Sequence, residues 1–560
     1  MTAVVRGTAG APGLALGRIV RLEGPGGQPR VDVDRSGNPG ERLATAQAQV
    51  AAHLEDLAAE LRAEGKADEA AIFDAQALLA SDRALADQAA QIFADERVPL
   101  DEAVTRVAGR IAASLAEVDD AYLQARAADV QAIGRQIAAV LQGISLDVGA
   151  SVPAGAIVVA ADLTPAELML LRKRRAAGVV TASGSITSHV AILARALGLP
   201  ALVGIGECWR DIPDGASALL DATGGTLLVD PTPAESVAFQ AQVDVARERD
   251  RRLAGLTQVA ASTADGERIV LWANIGRPEE APLAMQAEAE GIGLFRTEFL
   301  FVDRASAPGE DEQYTAYVQT LEAMGDRPVI VRTLDVGADK PLAYLPPLVE
   351  ANPFLATRGI RFTRRFPELF ETQLRALLRA ARHGDLRIML PMVSTPRDLA
   401  WARAVLERVT RDLERDAIPH RADLPFGIML ETPAAAVSLD RLAVDRQLAF
   451  CSIGSNDLAQ YTLAADRTDP ALARDYPYDD PSVFRMVRIA VQSARALELE
   501  ISLCGELAAD PRHAVALVGL GLRKLSMVPA ALASVKEALL GVSLADAQRQ
   551  GELAWAASGQ

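Results

Sequence analysis

Cysteine is nearly missing from this chain. Cys208, Cys451 and Cys504 are the only three in 560 residues. They are far apart, odd in number and without C-x-x-C spacing, which argues against a disulfide framework or a zinc site and points to a reducing compartment. No apolar run approaches the ~18 residues of a membrane span. The opening MTAVVRGTAGAPG lacks the basic start, apolar stretch and cleavage site of a secretory signal. A cytoplasmic protein without membrane insertion is expected. Basic residues are in deficit, with a net charge of -17, which argues against a nucleic-acid partner, because phosphate backbones are bound by clustered Lys and Arg. An anionic small substrate then requires arginines gathered locally.

Histidine is scarce too, at five residues, and one of them lies in an unusual context. In TASGSITSHVAILARALGLPALVGIG, residues 181 to 206, a Gly/Ser turn runs into Thr187, Ser188 and His189. Apolar Ile192, Leu193, Leu197 and Leu199 follow at helix-like spacing. His189 is therefore expected near a helix N-terminus, where free N–H groups and the helix dipole favour a phosphoryl group. An isolated Ser-His before a helix is more often only a cap. The rest of the chain has to decide.

At ~150 residues per domain the length suggests three or four domains. A strand-like run covers 14 to 22. From 41 to 142 the chain is Ala-rich and helical, with Leu43, Val50, Leu54, Leu57 and Leu61 marking one face and Val104, Val107, Ile111 and Leu115 another. This segment holds 18 acidic against 9 basic residues, a net of -9. It reads either as a solvated bundle or as a docking face for a basic protein. From 151 to 231 short β-rich runs alternate with helices, and the first can pair with 14 to 22, making the helical segment an insertion. A charged helix follows at 232 to 258.

Eight strand-like runs then appear, at 267–275, 291–296, 328–335, 386–393, 425–431, 448–455, 500–506 and 522–528, with helical stretches between them. Eight βα repeats in ~300 residues predict a TIM barrel, whose active site lies at the C-terminal ends of its strands. Arg296, Arg332, Asp335, Glu431, Asn456, Asp457 and Cys504 fall at those ends. Lys340, Arg358 and Arg467 fall on the loops beyond. Converging guanidiniums bind a dense anion. Glu431 and Asp457 are a carboxylate pair for a hard divalent cation that keeps waters, and a thiol such as Cys504 can donate or accept a proton. Taken singly, each also reads as a surface arginine, a structural ion pair or a buried packing cysteine.

Seven motifs add a family resemblance across essentially the whole chain: APGLALG, DDAYLQARAADVQAIG, TSHVAILARALGLPALVG, GIGLFRTEFLF, RTLDVGADK, GSNDLAQYTLAADR and LCGELAADP. The chain resembles enzyme I of the bacterial phosphoenolpyruvate-dependent sugar phosphotransferase system. The resemblance implies a multidomain protein. An α/β phosphohistidine (swivelling) domain would span 1–24 and 145–231, and an inserted α-helical HPr-binding subdomain 25–144. A linker helix would follow at 232–258 and a (β/α)8 TIM barrel for substrate binding and dimerisation at 259–560. It implies transfer of the phosphoryl group of phosphoenolpyruvate to His189, then to a histidine of the phosphocarrier HPr. Arg296, Arg332, Lys340, Arg358, Asn456, Asp457 and Arg467 would bind substrate, Glu431 and Asp457 would hold Mg2+, and Cys504 would protonate the leaving group to give pyruvate. A homodimer through the barrel and rigid-body motion of the His domain are implied as well.

The chain departs from the family pattern around Arg358, where ATRGIR replaces the more usual GWRAIR and touches local packing but not the arginine, and again just before His189. Ser185 and Ile186 stand where the family usually has Gly-Arg before Thr-Ser-His, which touches phosphoryl acceptance or partner choice. Three other readings stand beside this one. A dikinase or phosphoenolpyruvate synthase would need a large ATP-binding domain. A nitrogen-related regulatory paralogue usually carries an extra sensory domain, and a non-catalytic phosphocarrier-binding scaffold would not need the acid, metal and arginine set.

Overall fold

The computed structural model describes residues 3–22, 38–63, 67–116, 121–144, 146, 152–185, 188–302, 304–337, 342–444 and 448–556. The chain divides into two compact units, Met1–Glu248 and Arg249–Gln560.

The first unit is built on an eight-stranded sheet. Its strands are β1 (Ala3–Arg6), β2 (Thr8–Ala11), β3 (Leu14–Leu22), β4 (Ile157–Ala160), β5 (Gly178–Thr181), β6 (Ala201–Val203), β7 (Ser217–Asp221) and β8 (Thr226–Val229), in the order β1-β8-β7-β3-β4-β5-β6-β2. The expected pairing across the helical segment is present: β3 runs parallel to β4, with Ile19 opposite Ile157 and Leu22 opposite Ala160. Between these strands the chain forms helices α1 (Pro39–Ala63), α2 (Ala67–Ala80), α3 (Arg83–Glu96), α4 (Leu100–Ala116) and α5 (Ala121–Gln142). Leu43, Val50, Leu54, Leu57 and Leu61 are all buried, as their spacing predicts. At Gly134 the backbones of α4 and α5 approach so closely that a Cβ would lie 2.3 Å from Ala108 Cβ. That contact accounts for the glycine ending the DDAYLQARAADVQAIG motif.

Two helices pack on the sheet, α6 (Pro165–Lys173) and α7 (His189–Ala196). Thr164 and Glu167 form a reciprocal capping box at the start of α6, which satisfies two N–H groups the helix itself leaves open. Leu168 and Leu171 of α6 and Leu193 of α7 belong to the same core as Leu54 and Leu61 of α1. The inserted helices and the α/β part therefore share one core. Ile192, placed by spacing with the apolar residues of α7, is instead 40% exposed.

Helix α8 (Pro233–Gly255) crosses the boundary between the units. Its Phe239 and Val243 pack against Leu219 of the sheet. Beyond its other end, Lys536 Nζ donates to the carbonyls of Leu256 (3.1 Å) and Thr257 (2.8 Å).

The second unit is a closed barrel of eight parallel strands: β9 (Val270–Ile275), β10 (Ile292–Phe295), β11 (Val329–Arg332), β12 (Leu386–Leu390), β13 (Phe426–Leu430), β14 (Phe450–Gly454), β15 (Glu500–Cys504) and β16 (Lys524–Met527). It closes through β16 and β9, with Lys524 opposite Val270 and Met527 opposite Ala273. Each strand lies inside one of the eight predicted runs. Trp272, Leu294, Ile330, Met389, Met429 and Phe450 fill the interior. Gly427 makes room for the Phe450 ring, which a Cβ there would meet at 2.6 Å.

Candidate active site

Because all eight strands are parallel, their C-terminal ends share one rim of the barrel, and a cavity of about 530 Å³ opens there. Arg296, Arg332, Arg358, Glu431, Asn456, Asp457, Arg467 and Cys504 all line it. Lys340 lies outside the described residues.

The cavity is organised by buried ion pairs. Arg332, the last residue of β11, donates from Nη2 to Glu298 Oε1 at 2.7 Å and has Nη1 3.1 Å from Asp335 Oδ2. Arg358 donates to two carboxylates at once. Nε and Nη2 reach Asp335 at 3.2 and 3.0 Å, and Nη1 and Nη2 reach Asp457 at 3.1 and 3.2 Å. Four guanidinium–carboxylate contacts of this kind fix the planes of the groups as well as their distances. Burial works against both charged guanidiniums, yet the surrounding carboxylates outweigh it and hold Arg332 and Arg358 above the ordinary arginine range. Phe354 covers Arg358, with the guanidinium 5.9 Å from its ring, and Tyr461 donates to the Phe354 carbonyl at 2.6 Å.

Glu431 follows β13 directly and is fully buried. Its Oε1 accepts from the N–H of Met392, a residue held at φ +56°, a backbone region costly for a non-glycine side chain. Its Oε2 has no hydrogen-bond partner among the described residues. Burial, reinforced by Asp335 and Asp457, pushes the Glu431 carboxyl up to about 8, against the pull of Arg332 and Arg358.

Cys504 closes β15 at 3% exposure and donates from Sγ to the Ile453 carbonyl at 3.5 Å. Burial pushes its thiol up to about 11, so it carries a proton at neutral pH and is suited to acid rather than nucleophile. Gly505 beside it has φ +120°, and a Cβ there would meet Ser455 Oγ at 2.2 Å. Only glycine fits. Asn456 exchanges hydrogen bonds with Glu506, donating from Nδ2 at 3.3 Å and accepting from the Glu506 N–H at 3.1 Å. Asp457 also has Arg467 Nη2 at 3.5 Å.

Sequence reasoning did not single out Glu298, Glu506, Arg277 or Asn274, which also line the cavity. Glu298 and Glu506 each follow a selected residue by two positions, inside GIGLFRTEFLF and LCGELAADP, and that proximity was the available signal. Five arginines of the cavity face six carboxylates, Glu280, Glu298, Asp335, Glu431, Asp457 and Glu506. With every group ionised the arginines and carboxylates of the described cavity are not net positive, and a divalent cation would add positive charge for a multiply charged anion. Glu431 and Asp457 fit one: Oε2 of Glu431 is an orphaned buried acceptor, and a carboxylate pair is the partial shell a hard divalent ion accepts before water and substrate oxygens complete it. No cluster of three or more ligating side chains occurs among the described residues.

In the first unit, Ser188 caps α7. Its Oγ accepts from the Ala191 N–H at 3.3 Å and donates to the Ser185 carbonyl at 2.8 Å. His189 is the first residue of the helix, and Gly184 in the preceding turn has φ +105°, a conformation that favours glycine. The His189 side chain, Ile186 and Thr187 lie outside the described residues.

Comparison with known proteins places the whole chain. Three families of PEP-utilising enzyme match it: the PEP-binding domain over residues 250–544, the N-terminal domain over 6–126 and the mobile domain over 152–225. A multiphosphoryl transfer protein of Xanthomonas campestris pv. campestris is 38% identical over 98% of this chain, which spans 65% of that protein's length. A phosphoenolpyruvate-protein phosphotransferase of Haloferax volcanii is 41% identical over 87% of this chain and 84% of its own. That of Priestia megaterium is 34% identical over 98% and 95%. With matches of that identity over nearly its whole length, the chain belongs to the PEP-utilising enzymes and, among them, to the phosphoenolpyruvate-protein phosphotransferase family.

Proposed function

We propose that the barrel cavity binds phosphoenolpyruvate, that its phosphoryl group passes to His189 with release of pyruvate, and that His189 then phosphorylates a histidine of HPr, the first step of the sugar phosphotransferase system. The observation that carries this reading is the convergence of four candidate arginines, two candidate metal-holding carboxylates and a protonated buried thiol on one rim cavity.

Arg296, Arg332, Arg358 and Arg467 hold the phosphate and carboxylate, with Asn456 assisting and Lys340 a further candidate. Transfer breaks the bond between phosphorus and the enol oxygen and forms one between phosphorus and the imidazole nitrogen. The protein contributes in-line placement and charge neutralisation. The leaving enolate takes a proton at its methylene carbon from Cys504, giving pyruvate, and the thiolate regains a proton from solvent. Glu431 and Asp457 would hold Mg2+, which when bound offsets negative charge on the substrate oxygens.

Entry of His189 into the cavity, and its departure to meet HPr, call for rigid-body motion of the His domain. The excess of acid in residues 41 to 142 suits a basic phosphocarrier by charge complementarity. Excising that segment is a poor test of docking, because Leu168, Leu171 and Leu193 share its core. Charge reversal at exposed Glu55 and Asp56 is the better one: it should slow transfer to HPr without slowing self-phosphorylation. No helix among the described residues is long and apolar enough to cross a membrane. Family similarity suggests a homodimer through the barrel, testable by light scattering. The site itself is tested by a single-turnover measurement. The parent protein should release about one pyruvate per chain from phosphoenolpyruvate and Mg2+ without ATP, and His189→Ala should release none. A burst from the variant equal to the parent's would refute the role of His189.

A further inference from the structure

Asp335 stands three residues beyond the end of β11, inside RTLDVGADK, and the roles assigned above leave it unused. We propose that Asp335 is a positioning residue: it holds the guanidiniums of Arg332 and Arg358 in a single mutual orientation before substrate arrives. The inference rests on the reading of the cavity as the phosphoenolpyruvate site.

Asp335 is 2% exposed. One of its oxygens serves both arginines: Oδ2 accepts from Arg358 Nη2 at 3.0 Å and lies 3.1 Å from Arg332 Nη1. The other, Oδ1, accepts from Arg358 Nε at 3.2 Å. Its backbone is fixed as well, since its N–H donates at 3.2 Å to Glu298 Oε1, the atom that also receives Arg332 Nη2. On the far side, an antiparallel bridge joins Gly337 to Arg358, and Gly359 adopts φ +57°. A Cβ at that glycine would lie 2.8 Å from Met392 and 3.1 Å from Asp335 Oδ1. The loop carrying Arg358 therefore comes close because it has no side chain there, and the carboxylate locks it in place.

Removing this carboxylate makes the cavity one charge more positive. An anionic substrate is attracted no less, but the two guanidiniums lose their common anchor and hold it in more than one pose. The loss falls on the rate of the chemical step and not on binding, because misplacement by about 1 Å costs on the order of 10²-fold in rate. Substitution of Arg332 does the opposite first, removing a charge that binds substrate in the ground state.

The test is single-turnover pyruvate release by the full chain with Mg2+, read as a limiting rate and a half-saturating phosphoenolpyruvate concentration. For Asp335→Asn the limiting rate should fall ~100-fold while half-saturation stays level or drops. A fall of less than tenfold, or a rise of tenfold or more in half-saturation, overturns the proposal. Asp335→Glu keeps the charge, but its extra methylene has little room beside Gly359, so its limiting rate should fall as well. A parental rate in that variant would show that charge alone suffices and would equally overturn it. Calorimetric binding of phosphoenolpyruvate to each variant separates a misaligned site from an unfolded one. A parent protein that releases no pyruvate would instead refute the reading of the cavity, and the role of Asp335 with it.

Discussion

Glu431→Gln in the metal-free protein tests the electrostatics of the cavity without any assumption about catalysis. Burial, with Asp335 and Asp457 adding to it, raises this carboxyl from 4.5 to about 8. An acid whose folded-state value lies above its unfolded one contributes its full stability below the unfolded value. That contribution is lost as pH rises toward the folded one, here across roughly pH 4.5 to 8. Each pH unit in the window is worth ~1.4 kcal/mol, so from pH 5.5 to 8.5 the barrel should lose about 3 kcal/mol through this group alone. For a unit the size of Arg249–Gln560, an unfolding entropy of ~2 cal/mol/K per residue converts that loss to a fall of ~5 °C. The assay is calorimetry of the parent and of Glu431→Gln at both pH values with a chelator present. The parent's barrel transition should fall by ~5 °C more than the variant's. Mg2+ added at pH 8.5 should raise the parent and leave the variant unchanged. Parallel pH responses in the two proteins would refute the assignment of Glu431 as a buried carboxyl under strain, and with it the argument for a cation there.

Cys504→Ala should slow pyruvate release by 10²- to 10⁴-fold, the usual weight of a positioned acid, with calorimetric affinity for phosphoenolpyruvate within a few-fold of the parent; an unchanged rate would place the proton donor elsewhere. Gly134→Ala should destabilise the first unit by ~1–3 kcal/mol in urea melts, because a Cβ 2.3 Å from Ala108 Cβ forces α4 and α5 apart at a cost above the ~1 kcal/mol gained in helix propensity. A gain in stability would show that the helices separate freely. Lys536→Met keeps the apolar stem but leaves the Leu256 and Thr257 carbonyls without their donor, at about 1–3 kcal/mol. Hydrogen exchange at residues 255–259 should quicken, and unchanged protection would mean that the lysine does not anchor the end of α8.

The barrel was legible because its signal is local and repeated. Each strand is a short apolar run bounded by polar or glycine residues, and a polar residue just past such a run must lie on the rim of a parallel barrel. The helical faces were legible for the same reason, through 3.6-residue spacing. β1 and β2 gave no comparable signal: they are four-residue strands at the two edges of the sheet, AVVR and TAGA, with little apolar alternation. Ile192 fits the helical spacing of α7 yet is exposed, because periodicity says which residues share a face and not what covers that face. The ion pairs at the centre of the cavity were not legible. Arg358 meets Asp335 across 23 residues and Asp457 across 99, and only the closing of the barrel brings those carboxylates to one guanidinium. The core shared by α1, α6 and α7 is of the same kind, since chain order makes the helices an insertion and packing makes them part of the α/β unit.

The central claim is that His189 is the phosphoryl relay between this cavity and a partner protein. Its most direct measurement is incubation of the purified chain with phosphoenolpyruvate labelled in its phosphate, in Mg2+ and without ATP, followed by peptide mapping and a chase with HPr. The account predicts acid-labile, base-stable label on the peptide carrying His189, its loss in His189→Ala, and its movement to HPr on mixing. Label that forms only with ATP, resists acid or persists in His189→Ala would contradict it.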